Sequence, residues 1–206
     1  MPYECVSLSR PCAPRAGLLT IDEVVGLSER GNLIYDPYST LISAHAIIGH
    51  GNVFFPGVYL FCTNGSALEV GDANIFHANT LFEASAGAIR VGSRNQFGEG
   101  GFTAKANRPG ASIEIGDDGR YLNGAAVFGE TVLGSGSQLL GAITVDSCRL
   151  EPGGSFRESN PDRRAGLLKG TGAARNITVP AGQVIVGAGA FSVSDLQPQS
   201  NFHPKA

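Results

Sequence analysis

Five times along this chain an aliphatic residue is followed by glycine, and each time another large apolar residue stands six places after the aliphatic one. The pairs are Ile48-Gly49, Val70-Gly71, Val91-Gly92, Ile115-Gly116 and Leu133-Gly134, and the later residues are Phe54, Phe76, Phe97, Tyr121 and Leu139. Successive pairs start 22, 21, 24 and 18 residues apart, an 18-residue unit of three six-residue segments carrying insertions of 4, 3, 6 and 0. A unit this short cannot bury its own apolar face, so it must stack on copies of itself. The period predicts an all-β solenoid, a parallel β-helix of about six to seven triangular coils with loop insertions.

With 206 residues and 42% apolar content the chain can bury one core and has no need of a second domain. Residues 1–24 read as an N-terminal arm, 25–190 as the β-helix domain with a loop excursion at 156–175, and 191–206 as a tail. Glycine is abundant at 29 residues, Trp is absent, and no stretch keeps apolar residues at helical spacing, so helix is a minor component. The net charge of −3 supplies no basic stripe, which argues against a nucleic-acid partner. No segment approaches the roughly 20 apolar residues of a membrane span, and the opening segment lacks the pattern of a signal peptide. A cytoplasmic location follows, with Cys5, Cys12, Cys62 and Cys148 as free thiols that form no CxxC pair.

Within a coil, alternate residues of a strand face opposite ways, so an inward Phe76 puts Asn74 inside as well. That slot holds Asn52, Asn74 and Asn95, then Gly119 and Ser137, and stacked amides can satisfy one another as a buried ladder. The glycine after each aliphatic residue is expected to take a positive φ at a corner. The next position, His50, Asp72, Ser93, Asp117 and Ser135, reads as a solvated edge. Residues 127–150 keep the texture but lose phase, because Phe128-Gly129 and Leu133-Gly134 are five apart. Upstream, Val25-Gly26 and residues 32–46 supply material for one further, degraded coil. The insertions gather at 62–67, 83–88 and 103–112, each after the second segment of its coil, and should project from one side as a binding surface. Residues 156–175, with Arg157, Glu158, Asp162, Arg163, Arg164 and Lys169, read as a solvated loop leaving the stack.

Segments of the form aliphatic-Gly-x-x-small-x resemble the hexapeptide-repeat superfamily of left-handed parallel β-helix proteins. The likeness covers 48–150 and resumes at 177–187. It implies left-handed coils and two families of function. Hexapeptide acyltransferases use a histidine to deprotonate the acceptor that attacks an acyl-coenzyme A thioester. His77 is the counterpart here, with Glu83 as an orienting carboxylate and Lys105 and Arg108 touching the coenzyme A phosphates; Arg163, Arg164 and Lys169 are further cations for its tail. Such enzymes are trimers. Their usual ending, Gly followed by Asn or Ser and then Pro-Ala-Lys, is missing, since Val186-Gly187 continues into Ala188-Gly189. The γ-class carbonic anhydrases share the fold, and His45 and His50 have the spacing of two of their metal ligands. The third ligand is not where that family has it, so no metal is assigned. The coils Val70-Gly71-Asp72-Ala73-Asn74-Ile75-Phe76 and Val91-Gly92-Ser93-Arg94-Asn95-Gln96-Phe97 resemble those of the small pointed-end subunits of dynactin. That likeness implies a non-catalytic interaction module with a protein partner or a homo-oligomeric state, and it is the preferred reading, with acyl transfer as the alternative.

Overall fold

The computed structural model describes residues 17–203. Three faces of short parallel strands are stacked coil upon coil. On the first face Val53–Phe54, Ile75–Phe76, Gln96–Gly98, Arg120–Leu122 and Gln138–Leu140 lie in register, so that Phe54, Phe76, Phe97, Tyr121 and Leu139 form one column. Every one of these side chains is fully buried. Ring centroids along it are 5.1, 5.2 and 5.3 Å apart, the offset that stacked aromatics favour. The second face carries Ile42, Leu60, Phe82, Ala104, Val127, Val145 and Ala174 inward. Where Ala104 leaves room, Phe102 of the same strand fills it and packs on Phe82, Phe97 and Tyr121. The third face is a seven-stranded sheet, and its buried column is the aliphatic one, Ile48, Val70, Val91, Ile115, Leu133, Leu150 and Val179. A parallel β-solenoid follows directly from the sequence period. Residues 127–150 stay in register with the coils on either side.

The asparagine ladder is present and one rung longer, because Asn32 begins it. Asn32, Asn52, Asn74 and Asn95 each use Oδ1 to accept the backbone N–H of the next slot at 2.8 or 2.9 Å. Each Nδ2 donates to the carbonyl of the next coil's glycine, Gly49, Gly71, Gly92 and Gly116, at 2.8 to 3.1 Å. The glycine and the asparagine three residues after it are therefore parts of one device.

Two expectations about this corner are corrected. The glycines after the aliphatic residues do not take positive φ; that conformation falls two residues later, at Gly51, Ala73, Arg94, Asp118 and Gly136. Their N–H groups bond the carbonyls of the preceding coil, which offsets the roughly 1 kcal/mol cost of the left-handed region. Glycine is required at the earlier position by closeness. A Cβ on Gly92 would stand 2.8 Å from the Gly116 carbonyl and collide with the Asp117 carboxylate. Nor is the next column merely solvated. Asp72 accepts from the His50 N–H, Ser93 from Asp72, Asp117 from Ser93 and Ser135 from Asp117, at 2.7 to 3.0 Å. Alternating Asp and Ser thus tie each coil to the one before it.

The ends of the stack differ from the reading by residue pattern. Val25-Gly26 belongs to the helix Ile21–Gly26, begun by a capping box between Thr20 and Glu23, and Val24 and Leu27 are buried. The helix therefore straddles the expected boundary between arm and domain. Leu33–Ile34 and Leu41–Ile42 do form coil strands. Half of the 156–175 excursion is not loop, for Leu167–Arg175 is one strand that pairs with the first face and then the second. It joins the two faces into a 15-stranded sheet. Leu167 and Leu168 continue the apolar pattern within this otherwise charged segment. The tail folds back, with Gln197–Pro198 antiparallel to Gln183 and Val184 and Phe191 buried. Among the described residues no helix is long and apolar enough to cross a membrane.

Candidate functional site

His77 follows the inward Phe76 and faces outward on the first face, as alternation requires. Its ring stacks on Phe55 at 4.9 Å, and Phe55 in turn meets Tyr35 at 4.8 Å. The column stops at Gly98, where a Cβ would approach His77 Cβ to 2.6 Å. Beside it run Leu33, Val53 and Ile75, paired in register. Leu33 and Tyr35 are 47% and 57% exposed, so an apolar and aromatic strip lies open at this end of the face.

The ring nitrogen that a base would use is engaged. His77 Nε2 lies 3.3 Å from Gln96 Nε2, and the same amide reaches Glu99 Oε1 at 3.2 Å. With the Gln96 amide as donor, His77 Nε2 accepts and the proton of a neutral ring sits on Nδ1. Glu99 Oε1 is 3.9 Å from His77 Nε2, beyond hydrogen-bond range, so among the described residues no carboxylate orients the imidazole directly. Glu99 comes from a corner of unusual backbone, since residues 98–101 all have positive φ. This corner holds one residue more than its neighbours, because Phe97 and Phe102 are five apart where Tyr121 and Ala125 are four. That extra residue, in the run Gly98-Glu99-Gly100-Gly101, was the sequence signal for a carboxylate near His77.

The other residues singled out from the sequence do not gather here. Glu83 lies on the strand Thr80–Ala84 and Lys105 directly across from it on Phe102–Ala106. Lys105 Nζ and Glu83 Oε2 are 3.0 Å apart, and Ser85 donates to Glu83 Oε1. Residues 103–106, read as loop, are thus strand, and the corner between second and third faces is confined to shorter segments such as 107–111. Arg108 stands on that corner, exposed, and Nη2 meets Asp146 Oδ1 at 2.8 Å. Each cation faces a carboxylate, so the pair does not fit a phosphate site as it stands: a phosphate would have to displace Glu83 or Asp146.

His45 and His50 are exposed, and His50 Nδ1 faces Asp72 at 3.5 Å. Among the described residues no group of three His, Cys, Asp or Glu side chains is arranged to hold a metal. Cys62 and Cys148 are buried free thiols, and burial pushes both above the usual thiol range; Cys5 and Cys12 lie outside the described residues. Arg163 is exposed on the short turn Pro161–Arg163, whereas Arg164 and Lys169 line a cavity near the C-terminal end of the first face.

Compared with protein-family models, with curated proteins and with solved structures, the chain matches none.

Proposed function

We propose that this chain is a non-catalytic β-solenoid interaction module, cytoplasmic, which presents the first face to a protein partner carrying apolar side chains. The observation that carries this reading is the open strip of Tyr35, Phe55 and His77 beside Leu33, Val53 and Ile75 on a rigid sheet. The likeness of the coils at 70–76 and 91–97 to the small pointed-end subunits of dynactin, and left-handed winding with it, belong to the same reading. Absolute mass in solution is the first test. A single chain of 21.3 kDa leaves the strip free for a partner. A partner retained by the wild-type chain and lost with Phe55→Asp supports the module; the same proteins retained by both chains would overturn it.

Acyl transfer from coenzyme A is the second reading, favoured by the Gln96 amide that links His77 Nε2 to Glu99 Oε1. It calls for a trimer of about 64 kDa, three copies of the 21.3 kDa chain, with sites shared between subunits. Lys105 and Arg108 would turn from Glu83 and Asp146 to the cofactor. Saturable coenzyme A binding, with a rate loss of about 10² or more in His77→Ala, would put this reading in place of the first.

A further inference from the structure

Five cations on the coils meet carboxylates: Arg90 with Glu69, Arg94 with Asp117 and Asp118, Arg149 with Glu151, besides Lys105 and Arg108. Among the described residues Arg30, Arg157, Arg163 and Arg175 have no such pair, and three further cations without one stand together at the C-terminal end of the first face. Arg120, Arg164 and Lys169 line a single cavity of about 240 Å³. Its floor is the outer side of the face, and its walls include Phe156 and the turn Gln199–Phe202. Among the described residues Arg164 donates to the Glu158 carbonyl at 2.8 Å and to His203 Nε2 at 3.0 Å and meets no carboxylate. Arg120 lies over the Phe156 ring at 4.3 Å, and its Nε is buried without a partner among the described residues.

A second polar atom is unpartnered in the same lining. Gln199 is 1% exposed, and its Nε2 donates to the carbonyls of Ala165 and Gln183 at 2.7 and 3.2 Å. Those two acceptors fix the orientation of the amide, which leaves Oε1 as a buried acceptor with no donor among the described residues. Gln138 and His203 add polar groups, and the rest of the lining is apolar, with Leu140, Leu167, Val186 and Phe202 prominent. Such a mixture of apolar wall and a few convergent polar groups suits a small organic ligand. At about 20 to 30 Å³ per heavy atom the space suits a molecule of on the order of ten heavy atoms.

We propose that this cavity binds a small hydroxyaryl carboxylate. The carboxylate answers Arg120 and Lys169, the ring lies against Phe156 and the aliphatic floor, and the hydroxyl donates to Gln199 Oε1. The site is separate from the Tyr35, Phe55 and His77 strip, so it stands or falls independently of the interaction module.

Calorimetric titration of the full chain with 4-hydroxyphenylacetate, phenylacetate and inorganic phosphate tests this. The hydroxylated acid should saturate one site with Kd below about 1 mM, phenylacetate should bind at least about tenfold more weakly, and phosphate more weakly still. Lys169→Gln changes an exposed side chain, so it should leave the thermal midpoint in place while weakening the hydroxylated acid about fivefold or more. Arg120→Gln should weaken it further. Absence of saturation by the hydroxylated acid would overturn the proposal. So would phosphate binding as tightly as the acids, equal affinity for the two acids, or a Lys169→Gln chain that binds as the wild type does.

Discussion

The hydroxyl of Tyr121 meets Ser137 Oγ at 3.0 Å inside the stack, at the level where the asparagine ladder ends. Gly119 stands where the next asparagine would be, because a Cβ there would collide with the Tyr121 hydroxyl. Burial holds the Tyr121 phenol far above its ordinary pKa, so it stays neutral and able to donate. Tyr121→Phe and Ser137→Ala each strand one buried hydroxyl and should cost about 1 to 2 kcal/mol in urea unfolding. The double variant should cost less than the sum, since no polar group is then left alone. Additive losses would show that the two hydroxyls do not depend on each other.

Asn74 sits mid-ladder, bonded to Asn52, Asn95 and the Gly92 carbonyl. Asn74→Ala strands the Asn95 N–H and the Gly92 carbonyl in the interior, at about 3 kcal/mol or more together. The exposed Asn79→Ala, outside the ladder, should cost far less; equal midpoints for the two variants would count against a structural ladder.

Glycine at 92 and at 51 answers different demands, and alanine tells them apart. Gly51→Ala meets nothing within 4 Å and bears only the left-handed φ of 66°, a cost of roughly 1 kcal/mol. Gly92→Ala drives a methyl group into the next coil's backbone and should cost about 3 kcal/mol or prevent folding. A reversed order in thermal unfolding would restore the φ explanation for the aliphatic-glycine pairs.

Arg94 grips Asp118 through Nε and Nη2, both at 2.9 Å, and this pairing holds the carboxyl below its usual pKa. Hydrogen bonds lower Asp36, Asp72 and Asp162 in the same sense. A folded-state pKa below the unfolded one contributes stability that is present above about pH 4 and lost as the pH falls through the lowered value. Asp118→Asn should therefore be less stable than the wild type at pH 7, with the gap closing as both are acidified toward about pH 2. A gap independent of pH, followed by calorimetry, would remove the ion pair as its cause.

Cys62 and Cys148 are 2% exposed, and burial disfavours the thiolate of each. In a Cys5→Ser/Cys12→Ser chain, a colorimetric thiol reagent at pH 8 should react slowly with the native protein and rapidly with both thiols after denaturation. Rapid reaction of the native form would mean that the corner at 62–66 or at 146–148 opens.

The sequence by itself determined the solenoid, its inward aromatic column and three rungs of the ladder. Identical coils stacked at one strand spacing place the same kind of residue in the same slot, so a period in the chain becomes a column in space. Phe54, Phe76, Phe97 and Tyr121 could be aligned by counting, and so could the outward direction of His77. Tertiary structure alone decided the partners. Glu83 is close to His77 along the chain, yet it faces Lys105, which is 22 residues away and one coil on. A single extra residue at a corner brought Glu99 to His77 instead. The left-handed positions were hidden because Ala73, Arg94 and Asp118 occupy three of them without a glycine to mark the place. The cavity near Gln199 joins residues from 120 to 203, and only the folding back of the tail onto the first face brings them together. Contacts between coils depend on register and insertion length, and those are properties of the stack that no single repeat contains.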